Sequence, residues 1–182
     1  MNNEFCTIDH ADAVVERSAP VIMNNLNAKG KYTVEHIRDG EVIGEYEFPN
    51  GIVDQGLNSI LGVYFHSDTQ ILTTSWFIGL IDNSGFTALA NSDTLASHTG
   101  WNEFTTYTGT RLAWAPGASA TRSITNATTV NFPITGSGTL KGIFICSATS
   151  GTTGTLWSTA AFGTTVTVAS GDTLKVTYTV SG

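Results

Sequence analysis

The chain has 182 residues, the size of a single domain with room for an arm. Its 8 basic and 15 acidic residues leave a net charge of −7, which argues against a nucleic-acid binder, whose footprint is an excess of Lys and Arg, and against an anionic membrane surface as partner. Charged residues are only 13% and hydrophobic ones 41% of the chain, enough for one sizeable core, while the longest apolar run, Trp76 to Ile81, falls far short of the ~20 residues of a membrane-spanning helix.

Residues 1–30 show neither a helical nor a strand period, and Pro20 breaks any helix. They read as an N-terminal arm preceding one domain over 31–182. Val14, Val15, Val21 and Ile22 are its apolar anchors toward a partner. Four acids before residue 17 and the lack of an apolar core segment argue against a secretory signal, so synthesis in a cytoplasm is expected. Cys146 ends the apolar stretch Gly142–Cys146 and reads as a buried free thiol. A bridge to Cys6 is the lesser alternative in a reducing compartment.

Residues 31–48 read as a hairpin around Asp39-Gly40. A three-residue loop Arg38-Asp39-Gly40, pairing Ile37 with Glu41, places Tyr32, Val34 and His36 on one face with Val42, Gly44 and Tyr46, and puts Gly40 in the left-handed position of a bulged turn. After Asn50-Gly51, Asp54 is the expected cap of a short helix over about 55–65, with Leu57, Ile60, Leu61 and Tyr64 on one face. Trp76–Ile81 reads as a buried strand closed by the turn Asp82–Gly85. Residues 86–104 are expected to be irregular, with a helical turn near 93–97.

From Thr105 the pattern becomes strand and turn at short spacing. Expected strands cover 110–114, 120–125, 128–134, 139–147, 156–162, 164–169 and 173–180, separated by Gly-, Asn- and Ser-bearing turns. Residues 139–147 are apolar on both faces and belong in the centre of a sheet. Leu174, Val176, Tyr178 and Val180 alternate with Lys175, Thr177 and Thr179, as on a half-buried strand. The fold class is therefore all-β, an antiparallel sandwich of jelly-roll type with one short helix. The last 78 residues hold five charges and 21 threonines. Such neutral, hydroxyl-rich strands pack against like subunits without stranding a charge, so a homo-oligomer is expected, a trimer first.

Chemistry-bearing patterns are sparse. His10, His36, His66 and His98 show no metal-pair spacing. His66 with Asp68 reads as a solvated loop pair, and His36 as packed within the hairpin face. Glu45 and Glu47 share an outer strand face, and Asp82–Gly85 and Gly136–Gly138 read as turns. Asn126-Ala127-Thr128 is a formal glycosylation triplet, expected to stay unmodified without secretion. Trp101, Tyr107 and Trp157 are the aromatics that could stack on sugars if exposed, though core packing is commoner. No catalytic, cofactor or metal residues are assigned.

In order and spacing, several segments resemble a recurrent family of structural proteins of tailed double-stranded DNA bacteriophages. They are Trp76–Ile81, Trp101–Phe104, Tyr107–Arg111, Leu140–Phe144, Gly154–Ser158 and Gly171–Tyr178, together with the hairpin, Asn50–Val53 and the short helix. The resemblance spans about residues 31–182. It implies a non-enzymatic virion component made in the host cytoplasm. The first reading is a capsid decoration or cement protein bound to the major capsid protein. A tail or head–tail component, or a carbohydrate-binding module of a receptor-binding fibre, is the alternative.

Overall fold

A computed structural model describes residues 28–182; the arm anchors Val14, Val15, Val21 and Ile22, and Cys6, lie outside the described residues. The described residues are mostly β, with one helix among them, α1 (Asp54–Phe65), and a single turn of 3₁₀-helix at Thr73–Ser75. Ten strands follow in chain order: β1 (Lys29–Arg38), β2 (Glu41–Ile52), β3 (Phe77–Asp82), β4 (Asn102–Phe104), β5 (Leu112–Ala113), β6 (Ser123–Thr125), β7 (Val130–Pro133), β8 (Gly138–Cys146), β9 (Leu156–Val168) and β10 (Thr173–Ser181).

All pairings are antiparallel, and they form one curled sheet. Its path runs β4-β3-β8-β9-β2-β1-β10-β6, with β5 also beside β3 and β7 also beside β10. The expected two-sheet sandwich is thus met only in its coarser form. The reason is the length of β2. After pairing with β1 up to Asn50 it continues, and Gly51 and Ile52 pair with Thr159 and Ser158 of β9. That short seam joins two halves, which share one core. Tyr32, Val34, Phe132, Leu174, Val176 and Tyr178 pack in the same cluster as Ile78, Leu80, Leu140, Ile143, Ile145 and Phe162.

The hairpin closes differently from its expected register. Arg38 pairs with Glu41 across a two-residue turn, Asp39-Gly40, with both residues at positive φ (51° and 84°). Asp tolerates the left-handed region well enough for a primed turn. A bulge between His36 and Ile37 then resets the register, so His36 faces Gly44, Val34 faces Tyr46 and Tyr32 faces Phe48. The inner face carries Tyr32, Val34 and His36 as expected, but Val42 is half exposed at the tip.

Other local expectations also shift. Val53 precedes the helix and Asp54 is its first residue, with no side-chain cap bond. Residues 93–97 form no helix; Asp93 instead accepts from Ala90 N and from the Trp101 indole, 3.0 Å each. Residues 102–104, expected to be irregular, add β4 to the sheet. The two strands expected over 156–169 are one long β9, bulged opposite Lys141, whose Nζ reaches Phe162 O at 3.1 Å. Gly136–Gly138 is a crossover rather than a hairpin turn, because β7 pairs with β10 while β8 pairs with β3 and β9.

β6 and β7 form no hairpin with each other either. They lie end to end along β10. Between them the Asn126 side chain stands in for the missing strand. Its Oδ1 accepts from Tyr178 N at 2.8 Å, and its Nδ2 donates to Thr128 O and Val176 O at 2.6 and 3.3 Å. That amide is buried and committed, so the glycosylation triplet has no free nitrogen in the folded protein. As expected, β8 is central, β3 is buried, β10 alternates, and Asp82–Gly85 turns with Asp82 Oδ1 accepting from Ser84 N at 2.8 Å.

Candidate functional site

Among the described residues, the buried ionisable side chains His36, Asp93, Arg111 and Asp172 are tied into structural pairings. Asp172, at the turn before β10, is buried and accepts four hydrogen bonds: Arg38 Nε and Nη2 at 2.7 and 2.8 Å, His36 Nε2 at 2.7 Å and Ala169 N at 2.7 Å. The Arg38 guanidinium, with the other donors, holds its carboxyl far below the usual carboxylate range. His36 is thus packed inside the hairpin face against a saturated partner.

A second pair closes the far edge of the other half. Arg111 is buried and holds Glu103 with both ends of its fork, at 2.9 and 2.8 Å, and it also donates to Ala148 O and Gly151 O. Cys146 lies beneath it, free and buried, and burial pushes its thiol pKa up. His66 and Asp68 pair at 2.9 Å in an exposed segment, and Glu45 and Glu47 stand on the outer face. Of the aromatics considered for stacking, Trp101 and Tyr107 are core residues; only Trp157 is partly open.

What the structure leaves open is an apolar groove of about 440 Å³ at one end of the curled sheet. Trp76, Trp114 and Trp157 form its aromatic floor, Ile124 and Val180 one wall, and Ile60, Tyr64 and Ile71 the other. No charged residue lines it. The floor is fixed from below by hydrogen bonds. The Tyr178 hydroxyl accepts from Trp157 Nε1 and Asn50 Nδ2, both at 2.8 Å, and lies 3.3 Å from Ser158 Oγ, which in turn is 3.2 Å from the Tyr32 hydroxyl. Tyr32 and Tyr178 stack at 4.3 Å, and burial pushes the Tyr178 pKa up to about 12.

The wall formed by α1 is half finished. Gly56 is the buried residue of the helix, pressed on the carbonyl of Trp157. The expected apolar face is present, but Leu61, Tyr64 and the neighbouring Phe65 are exposed, the last two at 80% and 83%. Leu72, beyond the helix, is exposed as well. Large apolar side chains gathered this way are characteristic of interaction surfaces. The helical period of the sequence was visible; that nothing in the domain covers it was not, because periodicity marks an apolar face without naming what it packs on.

Among the described residues no helix is long and apolar enough to cross a membrane, and no cluster of three metal-ligating side chains occurs. In comparison with known proteins, the chain matched no family model, and no curated protein matched it.

Proposed function

We propose that the protein is a non-enzymatic virion structural protein, a jelly-roll-like capsid decoration or cement protein that binds the shell of a tailed bacteriophage and stabilises it. The observation that carries this reading is the exposure of Leu61, Tyr64, Phe65 and Leu72, next in sequence to residues that line an uncharged groove, with Tyr64 itself in its wall. The sequence resemblance along 31–182 supplies the kind of partner. The major capsid protein is that partner, and further copies of this chain, three around a local axis, are the neighbours. The ordered polar clusters fit a rigid body, since Asp172 and Arg111 are spent on holding loops.

The mechanism is adhesion. Each copy offers a small apolar contact of modest affinity, and repetition over a symmetric shell turns many such contacts into a stable coat. The test is to add purified protein to undecorated particles, then to measure occupancy by reconstruction and shell melting by calorimetry. The wild-type protein is expected to occupy shell sites and raise the melting temperature. The double variant Phe65→Ser, Leu72→Ser is expected to stay folded and lose occupancy. Density on the tail alone, or no binding of the wild-type protein, would overturn the proposal.

A further inference from the structure

The uncharged groove ends where the arm begins. Ala28, the first described residue, lies in a shallow pocket with Ile124 and Val180, and those same two side chains form a wall of the groove. Gly30 pairs directly with Val180. The entry to β1 at Ala28 therefore lies beside the groove.

The sequence that precedes β1 matches this lining. Residues 18–28, between Arg17 and Lys29, form an eleven-residue run without charge, and it contains Pro20, Val21, Ile22, Met23 and Leu26. Extended chain advances roughly 3.3 Å per residue, so the seven residues from Val21 to Asn27 reach roughly 23 Å back from Ala28. The first 17 residues differ: they hold four acids, one Arg and the pair Val14-Val15. An acidic segment gains nothing in a charge-free groove, whereas an apolar one removes both its own and the groove's apolar surface from water.

We infer that residues 18–27 dock in the groove of their own chain, with Val21 and Ile22 against Trp76, Trp114 and Trp157, and that residues 1–17 project as an acidic tether. The same chain is the occupant because the groove mouth lies beside the entry to β1, where a short link gives a high effective concentration. This assignment is independent of any capsid. It divides the arm into a docked part and a part left to reach a partner.

The experiment uses the full chain without particles. Benzoylphenylalanine is placed at Ile22, equal amounts of ¹⁵N-labelled and unlabelled protein are mixed and irradiated, and the cross-linked peptides are read by mass. The expected product joins position 22 to peptides containing Trp76, Trp114 or Trp157, with both halves carrying the same isotope, and it is lost in Ile71→Asp. Mixed-isotope products would overturn the same-chain assignment in favour of exchange between copies. Cross-links outside the groove, or none, would overturn docking itself. A second readout covers the case in which Ile71→Asp unfolds. Val21→Ser, Ile22→Ser should increase tryptophan quenching by acrylamide in an otherwise folded protein, and unchanged quenching would count against docking.

Discussion

β1 and β10 run side by side for the length of the domain, and their two ends are finished in opposite ways. At the Asp172 end, His36, Arg38 and Ala169 N satisfy a buried carboxylate. At the Val180 end, eight residues and roughly 26 Å along the strand, tryptophans face an open groove whose lining holds no charged residue. The first end is complete in itself, because a buried charge tolerates no missing partner. The second is left with uncovered apolar surface, and one buried amide oxygen there, Asn50 Oδ1, has no hydrogen-bond partner; apolar surface is non-directional and accepts whatever covers it. A closed polar end gives the body rigidity, and an open apolar end gives it somewhere to bind.

Four variants test that contrast. Asp172→Ala should cost the most, about 3 kcal/mol in urea unfolding. This is the low end for breaking a buried pair, since Arg38 is 42% exposed and water screens its share. At the open end, Gly56→Ala should cost about 2 kcal/mol by overpacking, because the new Cβ meets the Trp157 carbonyl. The helix propensity gained, ~1 kcal/mol, does not rescue it, and helical circular dichroism should fall before the β signal. Trp157→Phe removes the donor to Tyr178 and should cost about 1 kcal/mol. Phe65→Ser should change unfolding by no more than about 0.5 kcal/mol while reducing occupancy on undecorated particles. A large stability loss from Phe65→Ser would show that the open end is part of the body after all.

Titration separates the ends too. The Asp172 carboxyl has a depressed pKa in the folded state, so its contribution is fully present above the ordinary aspartate value of ~3.9 and is lost as the pH falls below it toward the native value. The stability gap between wild type and Asp172→Asn should therefore narrow progressively below about pH 4. Tyr178 behaves in the opposite sense. Its raised pKa keeps its contribution intact below the ordinary tyrosine value of ~10, and that contribution is lost as the pH climbs toward about 12. Phenolate absorbance followed against unfolding would show both the delay and the loss.

Elements whose cause is local were legible in the sequence. The alternation of Leu174, Val176 and Tyr178, the apolar run of β8, the turn at Asp82 and the helical spacing from Leu57 to Tyr64 are each written within a few residues. What was not legible depends on partners far away in the chain. β2 outruns its hairpin because Ser158 and Thr159 stand ready to receive Gly51 and Ile52, a hundred residues later. Asn126 reads as a turn residue, yet its amide works as a strand segment because β10 passes it. The groove is invisible for the same reason: Trp76, Trp114 and Trp157 are far apart in sequence, and only the curl of the sheet gathers them.

The seam between the halves has a mechanical meaning. Thirteen-residue β9 meets β8 along much of its length, whereas β9 meets β2 through two residue pairs and one further bond, Val53 N to Trp157 O. The molecule is thus two stiff plates on a narrow strap. A pull along the strands loads the β8–β9 bonds together, in shear, but a pull that opens the curl peels the strap one pair at a time. After the strap, what resists is the shared apolar core and the bonds that cross it, such as Trp157 Nε1 to the Tyr178 hydroxyl and Ser158 to Tyr32. Such a body yields first at the Gly51–Ile52 seam, while each plate keeps its own strand pairings.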